Sequence, residues 1–409
     1  MMHYWQRFNL FALLFFAISV NLGAALVSFS KLLIIFSFVG YLIFKKPWSK
    51  MDNLESVPST LLVICFAMVW IGLSTLWSDA DPKEVGASVV RHARLLFILV
   101  VFVLIPTKQV GYRVLSWLAL SQVLVVCLSF LMFFGVQVPF TQTKQPFEYA
   151  VPFTSSLEQP VMTALVVVLL WYFKDIWASS WARHASYVFI GLCVANVFFV
   201  MLGRTGFLLM LILIGIIGFF ELPKKFKLLA ILVPLFLGYS LFNTSTRLHE
   251  KTMQINDGLA KYAAGDYDTS EGQRLDYWRR SFQSIQESPV VGKGAGSWKN
   301  EYQRLGGLQP NPPSNPHNQF LLWWVEAGGV GLLFLIAIFM SMYRDALKLD
   351  QQESRALICV TLLAAVMSLF NCPFYGVGMG EFFMVLFGTL LATGKDLQAN
   401  RQLLTAQAH

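Results

Sequence analysis

The sequence predicts an all-α polytopic membrane protein, and two observations predict it. Of 409 residues, 56% are hydrophobic and 13% charged, about half of the roughly 25% charged content typical of soluble domains. The apolar residues, 36 Phe and 12 Trp among them, gather into runs as long as a bilayer is thick. A water-soluble globular enzyme is excluded, because no soluble core of this size hides so much apolar surface. The five cysteines (Cys65, Cys127, Cys193, Cys359 and Cys372) lie in or beside apolar runs without a CxxC pair, so they imply neither a disulfide framework nor a zinc site.

A span needs about 20 mainly apolar residues. That window places about twelve, near 9–27, 29–44, 58–77, 88–105, 112–134, 160–174, 185–202, 205–220, 227–242, 317–342, 355–371 and 376–393. The first reads as a start-anchor, not a cleaved signal, since its apolar run is long and a second span follows almost at once. With a cytoplasmic N-terminus, inside segments carry 16 Lys and Arg and short outside segments 6. The remaining 9 fall in one long outside segment, to which the charge rule does not apply. Both termini therefore belong in the cytoplasm. The net charge of +8 is mostly topology, and no nucleic-acid partner is needed to explain it.

The domain organisation follows: spans one to nine in residues 1–242, an outer loop at 243–316, spans ten to twelve in 317–393, and a cytoplasmic tail at 394–409. The loop is 74 residues long, and a structureless loop of that length is uncommon, which points to function. It predicts two helices, near 246–264 and 271–287. The second opens with Ser270 and Gln273 in capping-box spacing and repeats Leu275, Trp278, Phe282 and Ile285 along one face, to lie on protein or membrane. The Pro-, Gln- and Thr-rich outer segment 135–159 is a candidate partner for it.

Three features on the outer face carry candidate chemistry. Arg204 sits in Gly203-Arg204-Thr205-Gly206 between two apolar spans, where a charge costs on the order of 2.5–3.5 kcal/mol on insertion scales. The plainer reading is an arginine reaching the headgroups from a tight turn. Arg274, Arg279 and Arg280 lie on the second loop helix; the planar guanidinium suits a phosphate, and a solvated helix face is the plainer reading for at least one of them. The following glycines at 292, 294 and 296 fit neither a Walker loop nor a dinucleotide fingerprint, and read more readily as a turn than as an anion nest. The third feature is Asn315-Pro316-His317-Asn318, with Asn315 as N-cap, Pro316 as first helical residue and His317 in the first turn. The helix dipole there favours a neutral imidazole, able to accept a proton, although a histidine simply hydrogen-bonded at a helix start fits as well.

Other groups weigh less. Asp79-Ala-Asp81 has the DxD spacing of some metal-dependent glycosyltransferases, but Asp81-Pro82-Lys83-Glu84 is an ordinary helix start. Asp266, Asp268 and Glu271 make an acidic loop that needs no ion. Glu326 and Glu381 sit within spans and require partners. Arg91, His92 and Arg94 cluster at the outer end of the fourth span, placed to meet lipid phosphate or anchor the helix.

Together these features resemble the O-antigen ligase family, within a superfamily of O-antigen polymerases and O-linked oligosaccharyltransferases. The resemblance covers most of the chain in topology and rests on four local matches. They are Trp77-Ser78-Asp79 through Pro82; Gly203 through Gly206; Arg274 through Trp278 leading into Ser288-Pro289 and Gly292-Lys293-Gly294; and His317-Asn318 leading into Glu326-Ala327-Gly328. It implies a GT-C-type glycosyltransferase of the bacterial inner membrane. Such an enzyme moves a polysaccharide from undecaprenyl pyrophosphate to lipid A–core at the periplasmic face, inverting the anomeric centre with no metal or other cofactor. In that reading His317 is the general base and Arg204 and Arg274 stabilise the pyrophosphate. Arg279, Arg280, Arg91, Arg94 and Asn318 are candidate contacts to the donor or to membrane lipids. A polymerase or a protein oligosaccharyltransferase would use the same donor. A transporter is the rival from another class, disfavoured because the polar groups lie at the outer surface and not at the midplane.

Overall fold

The computed structural model describes residues 2–45, 57–139, 141, 150–176, 180–201, 203–265 and 267–395. Among these, all regular structure is helical. The inside charges expected at Lys46, Lys50 and Arg401, the tail from residue 396, Lys144 and Asp266 lie outside the described residues. The chain forms α1 (Met2–Ser19), α2 (Ala24–Lys45), α3 (Ser59–Ser74), α4 (Pro82–His92), α5 (Leu96–Leu104), α6 (Lys108–Phe133), α7 (Glu158–Tyr172) and α8 (Ser180–Ala195). After a π-helical turn come α9 (Arg204–Glu221), α10 (Leu229–Thr244), α11 (Thr246–Ala263), α12 (Ser270–Glu287) and α13 (Trp298–Arg304). The chain closes with α14 (Gln319–Ala346), α15 (Gln351–Ser368) and α16 (Met379–Ala392).

Each of the twelve apolar windows holds a helix, and among the described residues eight helical segments are long and apolar enough to cross a membrane. The protein is thus multi-pass. Two apolar helices are shorter: α7 has 15 residues and α16 has 14. At 1.5 Å per residue each is about 22 Å long, less than the roughly 30 Å hydrocarbon layer. Both are buried almost all round, as a helix apolar on every face must be, so they form the centre of the bundle. Around them α14 packs on α3, α5 on α16, and α9 and α15 on α7, while α10 stays peripheral.

The acids expected to need partners within spans have them. Glu326 accepts from Ser88 Oγ at 2.7 Å and lies 2.9 Å from His92 Nε2; all three side chains are buried. Glu381 binds Lys31 Nζ at 2.7 Å, with Arg94 Nε at 3.4 Å and its own helix start through Gly378 N–H at 2.8 Å.

Helix α14 is broken at Gly328, whose backbone (φ 68, ψ −171) leaves the helical region. A break inside an apolar helix frees peptide groups that must find partners. Here the turn after α12 supplies them. Lys293 N–H donates to Val325 O at 2.8 Å and Gly294 N–H to Glu326 O at 2.9 Å, while Pro289 O accepts Gly329 N–H at 2.8 Å. The indole of Trp70 on α3 caps Ala327 O at 2.8 Å. The alternate glycines serve this docking: a Cβ on Gly292 would sit 2.4 Å from Gly328 N, and one on Gly294 2.5 Å from Ser78 Cα.

Three local expectations are corrected. Asn318, not Asn315, caps α14, accepting Leu321 N–H at 3.0 Å, so His317 precedes the helix. Thr269, not Ser270, caps α12, accepting Gly272 N–H at 3.0 Å; the threonine already ends the extended approach, so Ser270 becomes the first helical residue. On α12 the buried face is Asp276, Tyr277, Ser281, Ser284 and Ile285, while Phe282 is exposed. Small and polar groups face inward because Trp298 and Tyr302 of α13, a helix not anticipated, fill the space opposite. At α4 the ordinary reading holds: Asp81 caps Lys83 N–H at 2.8 Å.

Alanine at Gly292 is expected to lower the thermal unfolding temperature in detergent, because it combines strain of about 1–3 kcal/mol with a backbone clash. Gly72→Ala on α3, where a Cβ meets nothing within 4 Å, should leave it unchanged or raised. Equal behaviour of the two variants would refute the docking role.

Candidate functional site at the junction of α9, α12 and α14

Arg204 is the first residue of α9. The glycines on either side let that turn press against the start of α7: a Cβ on Gly203 would lie 2.7 Å from Ser156 O, and one on Gly206 2.1 Å from Pro160 Cβ. From there Arg204 reaches the first turn of α12. Its Nη2 is 2.5 Å from Glu271 Oε1 and 3.3 Å from Ser270 Oγ, and Ser270 Oγ donates to Glu271 Oε2 at 2.9 Å. Its Nη1 is buried and has no partner among the described residues. Burial works to raise the Glu271 carboxyl, but the Ser270 bond and the Arg204 charge hold it below the ordinary range. Glu271 is therefore engaged by an arginine.

Arg274 lies one turn further along α12 and makes no hydrogen bond or ion pair with any described residue. Burial lowers its pKa, and the like charge of Arg204 lowers it further against the pull of Glu271. Two permanent cations thus lie close enough to repel each other, and Glu271 is ion-paired with Arg204 alone. Four residues on, Trp278 Nε1 donates to Pro316 O at 3.0 Å, and the Tyr277 ring lies 6.2 Å from the His317 ring. Helix α12 therefore runs from Arg204 to His317.

His317 has φ 53, the only left-handed non-glycine backbone among the described residues. Such strain persists where surroundings over-determine it. Asn315 Oδ1 accepts the His317 backbone N–H at 3.0 Å, and the ring Nδ1 lies 3.1 Å from Asn371 Oδ1. With Nδ1–H donating to that amide oxygen, the lone pair is on Nε2. Burial lowers the His317 pKa, the Asn371 bond opposes this, and the Arg274 charge lowers it again. A neutral imidazole beside a paired cation set can take a proton from a hydroxyl while anionic oxygens are held nearby.

The structure thus brings Arg204, Arg274 and His317 together. The other expected contacts are placed elsewhere. Arg279 is exposed, and Arg280 turns to Asp276 at 3.3 Å and Gln283 at 3.1 Å. Asn318 spends its side chain on the α14 cap and on Leu369 O at 3.0 Å. Arg91 and Arg94 gather at Tyr375: Arg91 Nη1 donates to its hydroxyl at 3.4 Å, and Arg94 donates to its carbonyl and faces Glu381. Asn371 and Tyr375 were missed from the sequence. Both lie in the connection between α15 and α16, and only the capping glycine and proline there mark it as a turn.

Part of the chain is similar to a known family. The family model described as O-antigen ligase matches residues 160–336. This stretch, less than half of the chain, is similar to that family. It contains Arg204, Arg274 and His317 and ends just beyond the break in α14. A protein of Haemophilus influenzae (strain Rd), described as uncharacterized, is 21% identical over 347 residues, covering 81% of this chain and 84% of its own length.

The charge coupling between Arg274 and His317 is testable without turnover. Arg274→Gln should raise the His317 pKa towards the ordinary histidine value, because one of the two effects lowering it is gone. The pH dependence of diethylpyrocarbonate modification at His317 would read this. Protection by protonation should extend to higher pH in the variant; no movement would separate the two residues.

Proposed function

We propose that this protein is an O-antigen ligase, transferring a polysaccharide from undecaprenyl pyrophosphate to a hydroxyl of lipid A–core at the periplasmic face of the inner membrane. The observation that carries the reading is the convergence of a neutral, oriented imidazole with two arginines, of which only Arg204 is paired with a carboxylate. That pairing matches a reaction in which a hydroxyl loses a proton as a pyrophosphate departs.

In the proposed step the acceptor hydroxyl attacks the anomeric carbon of the first sugar, and its proton passes to His317 Nε2. The bond from that carbon to the pyrophosphate oxygen breaks, with inversion, and the electron pair leaves on undecaprenyl pyrophosphate. Arg204 and Arg274 hold the growing negative charge; arginine suits this because its charge is permanent and its donors are paired. Asn371 keeps the imidazole in the tautomer with Nε2 free. No nucleotide site is needed, because the donor is lipid-linked, and the GT-C assignment follows from the same donor class.

His317→Ala should lower transfer by about 10²–10⁴-fold while the protein remains folded and inserted. Near wild-type turnover in that variant would remove the base assignment. Arg204→Ala and Arg274→Ala should each cost about 10²–10³-fold even with excess acceptor, with partial recovery in the lysine variants. Activity retained in both alanine variants would sink the pyrophosphate clamp.

The reaction itself is read from lipopolysaccharide gels of a gene-deleted host, with the lipid-linked glycan pool analysed in parallel. A ligase predicts loss of every O-antigen band and build-up of polymerised glycan on undecaprenyl pyrophosphate. Core bearing a single repeat would make the protein a polymerase, and an unchanged ladder would reject both.

A further inference from the structure

Arg91 and Arg94 lie within the segment Pro82–Leu104, which is long and apolar enough to cross a membrane. An ionisable group in such a segment requires a partner or a function. Arg94 has its partners: Nε is 3.4 Å from Glu381 Oε1, and the guanidinium donates to Tyr375 O. Lys31 on α2 binds the same carboxylate oxygen at 2.7 Å. Arg91 differs. It is partly exposed, its hydrogen bond is to the Tyr375 hydroxyl at 3.4 Å, and no carboxylate among the described residues pairs with it.

The acids of this neighbourhood are engaged by other groups. Glu381 takes Lys31 and Arg94 on one oxygen and Gly378 N–H at 2.8 Å on the other. Glu326 is bound by Ser88 and His92. Glu84, two turns before Arg91 on α4, faces Lys299 at 3.5 Å, and Glu158 is hydrogen-bonded to Ser155. The Tyr375 ring holds Arg91 in place: the guanidinium carbon stands 5.1 Å from the ring centre, with the His92 ring edge-on at the same distance. A guanidinium held against an aromatic ring keeps most of its in-plane N–H groups free. Those donors form the fork to which a phosphate binds by two parallel bonds.

Exposed apolar side chains border the cluster on each of its elements. Phe29 and Leu32 lie near Lys31 on α2, Val90 precedes Arg91, and Val377 follows Tyr375 by two residues. This border favours an anion carried on a lipid over a soluble one. Tyr375 also shares its connection with Asn371, which meets the His317 ring at 3.1 Å. Four residues of chain reach at most about 14 Å, so one molecule can touch Arg91 and present a hydroxyl at His317.

We propose that Arg91 binds a phosphate group of the glycolipid acceptor, with Tyr375 orienting the guanidinium and Arg94 and Lys31 adding positive field beside it. This rests on the ligase reading and deepens it. Arg204 and Arg274 hold the donor's pyrophosphate, Arg91 holds the acceptor's phosphate, and His317 stands between them in the chain of contacts. Lys31, Arg91, Arg94, Tyr375 and Glu381 all lie outside residues 160–336, the stretch similar to the O-antigen ligase family.

The test measures binding and needs no turnover. Full-length protein in mild detergent is titrated with lipid A–core from a strain that makes no O-antigen, and with the same material stripped of phosphate. The wild type should bind the phosphorylated form about tenfold more tightly. In Arg91→Gln both forms should bind as the stripped form binds the wild type, and Arg91→Lys should recover part of the difference. Equal loss for both forms in Arg91→Gln would mean a structural role and overturn the proposal. So would displacement of the phosphorylated acceptor by phosphatidylglycerol or inorganic phosphate at matching concentration, which would put a phospholipid headgroup or a free phosphate at Arg91. In transfer, Arg91→Gln should raise the acceptor KM about tenfold and leave the donor KM unchanged. Ligation with phosphate-independent acceptor binding would remove the phosphate site and leave the ligase standing. Binding of neither form, with an unchanged lipopolysaccharide ladder on gene deletion, would remove both.

Discussion

The break in α14 at Gly328 is the constraint on which the rest depends. An interrupted helix in an apolar setting exposes peptide groups that water cannot satisfy, so a second segment has to enter the gap. The turn at 289–294 does so, and it can only because Gly292, Gly294 and Gly328 lack side chains at points of backbone contact. That docking pins the C-terminal end of α12 to α14. The Trp278 bond to Pro316 pins its middle, and Arg204 with Glu271 pins its start. A long connection that would otherwise sample many arrangements becomes a rigid arm with Arg274 at a set position.

Buried charge is arranged around the same arm. Glu326 sits two residues before the break and draws in Ser88 and His92 from α4, while Tyr375 packs edge-on to His92 and gathers Arg91 and Arg94. Removing one member of such a buried pair leaves a charge or donor without a partner, which commonly costs about 3–5 kcal/mol. The connection from Leu369 to Gly378 therefore does two jobs: Tyr375 ties down α4, and Asn371 orients His317. Its backbone also receives Asn318, which links the start of α14 to the end of α15.

Much of this was legible in advance. Apolar windows located the helices because a bilayer demands length and continuity of apolar sequence, a strong and local signal. Arg204 was conspicuous for the same reason, as a charge between two such runs. The start of α14 was misread because Asn315-Pro316 and Asn318 are both good caps, and propensity alone cannot choose between starts three residues apart. The choice went to Asn318 because its amide also bonds Leu369 O, a contact 51 residues away. The consequence falls on the candidate site: His317 lies before the helix in a left-handed backbone, and its ring meets Asn371.

What the sequence by itself determined is the membrane-embedded all-helical class, the order of the helices and the candidate trio of Arg204, Arg274 and His317, because these rest on composition and local pattern. Tertiary structure alone decided that the turn carrying Gly292 and Gly294 fills the gap in a broken helix. It also decided that Arg280 and Asn318 are occupied by structural bonds, and that Asn371 lies within bonding distance of the His317 ring. Each of those outcomes depends on a partner tens or hundreds of residues distant. No periodicity or spacing records such a partner; only the packing of α12, α14 and α16 against one another brings it within bonding distance.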